Sequence, residues 1–206
     1  MSSVNIFERI AIDPPYAQIY RRLGYRKKTT ELASVKQKEI DLYIEEAAGY
    51  ITLKGCLLKT LIEKNDGKDI ILSGGIFFPS RKLAIFLRDC REALLMGATA
   101  GSGIMEAIKE KTKQDNLSAA VIYDATASEM ADGALDWIMR YADRQLLREG
   151  KKLLPRRFSA GYADFPLANQ KTIYQQLQME KINVNINSNF ILQPEKSVTA
   201  ITGICC

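Results

Sequence analysis

Residues 182–204 read INVNINSNFILQPEKSVTAITGI, and their pattern bears most directly on the fold class. Ile182, Val184 and Ile186 alternate strictly with Asn183, Asn185 and Asn187, the period of a half-buried strand. Gln193-Pro194-Glu195-Lys196 suits a type I turn with proline at its second position, which makes Ser197–Ile204 the returning strand of a hairpin. Strands that return by short turns, set among long helices, predict an α+β protein with a mainly antiparallel sheet.

Upstream of this block, Ala168–Glu180 reads as an amphipathic helix through Ile173 and Leu177. It follows Arg156-Arg157-Phe158-Ser159-Ala160-Gly161-Tyr162-Ala163-Asp164-Phe165-Pro166. That stretch puts guanidinium groups, bare backbone and a phenol within a few residues. Arginine takes a carboxylate through parallel hydrogen bonds, small residues let a ligand approach, and tyrosine adds a flat face with a polar tip. The same residue types also describe a basic strand end running into a glycine turn.

Asn116 or Ser118 opens a long helix to about Arg148, with an apolar stripe through Leu117, Val121, Ala127, Met130, Ala134, Ile138 and Leu146. Asp124, Asp132 and Asp136 recur at multiples of four and so share one face, either a solvated row or a set from which a carboxylate meets a ligand amine. Nearer the N-terminus, Ser34 is the expected N-cap of a helix with Ile40, Ile44 and Ala47 on one side, and Gln37 completes a capping box. Gly55–Glu63 and Asp69–Leu72 read as strands flanking an Asn65–Lys68 turn, and Ser80 caps a helix through Leu83 and Leu87. Residues 1–30 are expected to form an irregular arm with a short helix near Tyr16–Leu23. The remainder, 31–206, is expected to form one domain, since no repeat or linker divides it.

Ala93–Met96 is a short apolar strand ahead of Gly97-Ala98-Thr99-Ala100-Gly101-Ser102-Gly103, with a helix from Ile104. These glycines have the spacing of a dinucleotide-binding loop. The sole Tyr-x-x-x-Lys, Tyr50 to Lys54, precedes them, the wrong order for a short-chain dehydrogenase, and the alternating strands and crossover helices of a parallel sheet are missing. A tight strand-to-helix turn accounts for the glycines more simply.

The composition, 47% hydrophobic and 26% charged over 206 residues, is that of an ordinary globular protein, and its net charge is +5. The basic runs at Tyr20–Lys28 and Arg148–Arg157 suit solvent or an acidic protein partner; without a groove-reading motif they do not argue for nucleic acid. No stretch is long and apolar enough for a membrane span and the N-terminus lacks signal-peptide order, so a cytoplasmic location is expected. The chain has no histidine, which excludes a Ser-His-Asp triad and any imidazole metal ligand. Whatever hard chemistry it joins is carried by a cofactor, by carboxylates or by a partner. Cys56 and Cys90 read as small buried hydrophobes, and Cys205-Cys206 as an exposed tail of undetermined role.

RFSAGYADFPLANQKTIYQQL (157–177) and NSNFILQPEKSVTAITGI (187–204) together resemble the activation (reactivation) domain of cobalamin-dependent methionine synthase, and especially its short free-standing members. The likeness is strongest over 119–204. It implies a C-shaped α+β domain around a bent, mainly antiparallel sheet with flanking helices. It also implies binding of S-adenosylmethionine, with cobalamin carried by a partner, either methionine synthase or a related corrinoid protein, and an electron donor that is flavodoxin-like or otherwise. On this resemblance the ligand-binding residues are Asp132, Arg157, Ser159, Gly161 and Tyr162; no catalytic residue or metal ligand is implied. Asp132 falls on a family glutamate and Ser128 on a common aspartate, and the acid usual just upstream of the arginine is replaced by the basic Gly150–Pro155 stretch. The rival readings are an activator of another corrinoid methyltransferase, a docking module without the ligand, and a nucleotide-dependent oxidoreductase built on GATAGSG.

Overall fold

The structure is a computed structural model that describes residues 3–25 and 33–205. Strands β1 (Asn5–Phe7), β2 (Lys54–Asn65), β3 (Asp69–Leu72), β4 (Ile76–Pro79), β5 (Glu92–Thr99), β6 (Lys152–Leu153) and β9 (Ser197–Cys205) form one sheet. Its order is β4-β3-β2-β5-β9-β6, with β1 on the edge of β2 opposite β5, and every pairing is antiparallel. Helices α1 (Tyr16–Arg22), α2 (Ser34–Tyr50), α3 (Arg81–Phe86), α4 (Gly103–Lys113), α5 (Leu117–Leu146) and α6 (Asn169–Leu177) flank it. The fold is α+β around an antiparallel sheet, as the sequence predicts. None of the helices among the described residues is long and apolar enough to cross a membrane.

The central strands are apolar at nearly every position because both faces are covered. In β5, Leu94 and Met96 join the core under α5 while Ala93 and Leu95 join a second core under α3 and α6. Cys56, Leu57 and Leu58 of β2, and Ala200 and Ile201 of β9, divide between the same two cores. Neighbouring side chains of a strand point to opposite faces, so a doubly covered strand reads as a continuous apolar run. Helix α5 begins where expected: Asn116 accepts the Ala119 N–H at 3.2 Å, a side-chain N-cap. Ser80 caps α3 in the same way, accepting the Leu83 N–H at 3.0 Å.

Several expectations are corrected. Ser34 is already inside α2, and Ala33 is the N-cap with no side-chain bond. Leu117 and Val121 lie more than half exposed, off the buried stripe of α5. The N-terminal arm is less irregular than its sequence suggests, because β1 pairs with Gly55–Leu57. Of the 182–187 alternation only Asn185–Ile186 is a strand, β7, since Met179–Ile182 is a 3-10 turn and Asn183 adopts φ +63°. The expected hairpin does not form: Leu192–Gln193 (β8) pairs with β7, and β9 pairs with β5 and β6. The Gln193–Pro194 bond is cis, and bends rather than a type I turn follow it. Cys205 ends β9 in sulfur–sulfur contact with Cys90, their Cα atoms 4.5 Å apart, rather than lying in an exposed tail; Cys206 falls outside the described residues.

Candidate functional site

Beyond β6 the chain follows β9 as an interrupted edge. Leu154 N–H donates to the Gly203 carbonyl at 2.9 Å, and Phe158 exchanges hydrogen bonds with Ile201, each 2.8 Å. Phe158 packs into the core under α6, so its extended neighbour Arg157 projects to the opposite face, toward α5. There its guanidinium donates through Nη1 to Asp136 and through Nη2 to Asp132, the latter at 3.2 Å, with a quarter of the side chain (25%) exposed. The structure therefore brings together Asp132 and Arg157, which lie far apart in sequence.

A second cation lies farther up the same helix face. Lys196, immediately before β9, places Nζ 2.6 Å from Asp124 Oδ1 and 3.0 Å from Ser128 Oγ, with 15% of its side chain exposed. Asp124, Ser128, Asp132 and Asp136 thus form a polar row, spaced about 6 Å per step along α5. Its carboxylates face outward and its cations lie behind them. The helical spacing makes that row visible in the sequence; the roles of Lys196 and Asp136 need the tertiary pairing of α5 with the β9 edge and carry no local signal.

Ser159–Phe165, which directly follows Phe158, is a compact turn, and its Ala160 and Phe165 join the core on the face of the sheet away from α5. Tyr162 N–H donates to the Ser159 carbonyl (3.2 Å), Phe165 N–H to that of Tyr162 (2.9 Å), and Gly161 N–H to that of Phe165 (2.8 Å). The Ser159 hydroxyl points into the sheet and donates to the Thr199 carbonyl at 2.8 Å, so this side chain belongs to the frame. Gly161 has φ +85°, and a Cβ there would lie 3.3 Å from Leu167 Cδ1. The Tyr162 ring is free, 73% exposed. On the other side of α5, a Cβ at Gly133 would meet Ile12 at 2.7 Å, so this glycine admits the 8–14 segment close to Asp132. That segment, with Ala48, residues 51–53 and Met130, lines a cavity of about 580 Å³ that includes Asp13 but neither Asp132 nor Arg157.

Chemically, the cluster suits a small zwitterion. The guanidinium keeps donors beyond the two engaged here, and Asp132 and Asp136 keep free lone pairs for an ammonium. The GATAGSG segment lacks the bare backbone a pyrophosphate needs. Gly97 to Thr99 continue β5, and a Cβ at Gly103 would lie 2.8 Å from the Tyr50 carbonyl oxygen.

Among solved structures the chain is similar to the MetH reactivation domain bound to AdoHcy, with a TM-score of 0.70 over 98% of this chain and 78% of that one. The two share a fold. Their sequences are 14% identical, no family model matches this chain, and no curated protein does. The likeness extends over the N-terminal region, where the sequence motifs are thin, as well as the C-terminal blocks.

Proposed function

We propose that this chain is an accessory activation subunit that binds S-adenosylmethionine and supports the repair of a cobalamin-dependent methionine synthase. The observation that carries the reading is the Arg157 guanidinium held between Asp132 and Asp136 on a fold shared with a domain crystallised with AdoHcy. One electron from a flavodoxin-like or other donor, with the methyl group of S-adenosylmethionine, converts inactive cob(II)alamin on the partner to methylcobalamin and leaves S-adenosylhomocysteine. In this reading Arg157 takes the ligand's carboxylate, Asp132 its amino group, Gly161 the close backbone approach and Tyr162 a flank of the ligand. Ser159 contributes through the backbone frame its hydroxyl fixes. None of these residues supplies a proton or nucleophile; the chain's work is positioning, and its partner holds the cobalt. An activator of a different corrinoid methyltransferase would use the same residues.

A docking module without the ligand is the second reading. It is favoured by the Gly161 N–H, which is engaged by the Phe165 carbonyl within its own turn. Calorimetric titration with AdoHcy and S-adenosylmethionine separates the two. Binding is expected in the wild type and at least a thirtyfold loss in Arg157→Ala, the scale of a severed charge-assisted pair, about 2 kcal/mol. At a hundred times the dissociation constant the ligand raises folding stability by about 2.7 kcal/mol, readable as a thermal shift. No binding in the wild type leaves the docking module.

A further inference from the structure

We propose that Asp164 is a positioning residue for the candidate site, fixing the Ser159–Phe165 turn to the start of α3; the inference rests on the ligand-binding reading above. Its carboxylate accepts the Ser80 hydroxyl proton at 2.6 Å and the Lys82 backbone N–H at 3.2 Å on each oxygen. Ser80 is nearly fully buried and also accepts the Leu83 N–H, so its hydroxyl closes a relay from the α3 backbone through Ser80 to Asp164. The partners are distant in sequence, and this bond joins the corner formed by β4 and α3 to the turn. The hydrogen bonds from Ser80 and Lys82 also hold the Asp164 carboxyl below the usual range, consistent with a carboxylate engaged in the folded state.

The turn needs such a hold. Ala163, directly before Asp164, has φ +51°, a left-handed conformation that disfavours any residue with a Cβ and persists where its surroundings over-determine it. Three contacts fix the turn from outside. Ser159 bonds to β9, Phe165 packs edge-on to Phe78 at 5.3 Å between ring centres, and Asp164 engages α3. Ser159 and Phe165 hold the two ends. Asp164 is the only one of the three beside the strained residue. It touches neither Arg157 nor the aspartate row, so its influence on a ligand passes through the shape of the turn.

The test pairs AdoHcy calorimetry with hydrogen exchange, both at a temperature where every variant is folded. Asp164→Ala is expected to weaken AdoHcy about tenfold and Asp164→Asn, which keeps an acceptor oxygen, less than threefold. Asp164→Ala should also speed exchange at Gly161, Tyr162 and Phe165 while α5 and β5 stay protected. Wild-type affinity in Asp164→Ala, or a loss of affinity without faster exchange in the turn, overturns the proposal. If the wild type binds no AdoHcy, the functional reading fails by itself, and exchange in the turn alone decides whether Asp164 holds it.

Discussion

Gly97 and Gly103 lie where other parts of the protein press on the backbone, whereas Gly161 sits in a turn with an exposed tyrosine beside it. A Cβ at Gly97 would lie 2.8 Å from Met179 Cε and 3.2 Å from Cys56 Sγ, inside a doubly covered sheet. At Gly161 the constraint is the backbone itself, φ +85°, with Leu167 the nearest side chain at 3.3 Å. The first pair of glycines makes room for protein; Gly161 shapes an exposed turn four residues past Arg157. A glycine motif therefore carries functional meaning only once it is known what fills the space a side chain would take.

Substitution tests this contrast. Gly97→Val forces two branched methyls into the layer under α6 and should cost about 3 kcal/mol in urea unfolding, the upper range for overpacking. The affinity of the folded fraction for AdoHcy should not change. A loss under 0.5 kcal/mol would mean that Met179, an unbranched side chain, swings aside. Gly161→Ala should cost less stability, about 1 kcal/mol for a Cβ at positive φ, but should weaken AdoHcy binding as well. Equal effects of both substitutions on ligand affinity would erase the distinction.

Much of the frame was legible because it depends on local chemistry. Asn116 and Ser80 announce their helices, and the 3.6-residue period runs through most of α5. The errors fall where distant segments override local pattern. The Ile182–Asn187 alternation yields to a 3-10 turn whose Met179 and Ile182 are needed in the core. β1 is too short to announce itself and exists by pairing with β2. At the site, the aspartate row could be drawn on a helix from sequence alone, but not the cations behind it. Arg157 meets Asp132 and Asp136 only because the edge of β9 runs alongside α5, and Asp164 meets Ser80 across a far longer span, 84 residues of chain.

The smallest expected effect compares two turns through acid. Asp66, in the turn between β2 and β3, has its carboxyl held down at about 2 by the backbone N–H groups of Asp69 and Lys68 and by Lys64. Asp164 is also lowered, chiefly by the Ser80 hydroxyl. A carboxyl lowered by folding binds fewer protons folded than unfolded, so its stabilisation is complete above its unfolded value. It is lost as pH falls, for Asp66 between about 4 and 2. Both side chains meet solvent, so the effects are small, and urea midpoints between about pH 2 and 5 are the measure. Asp66→Asn should flatten the acid slope without touching AdoHcy affinity at neutral pH, because its turn only joins two strands. Asp164→Asn should flatten the slope too, and Asp164→Ala should also loosen the ligand. If Asp164→Ala instead leaves AdoHcy affinity as unchanged as Asp66→Asn does, the turn at 159–165 is an ordinary surface turn, and the site reduces to Arg157 and its aspartates.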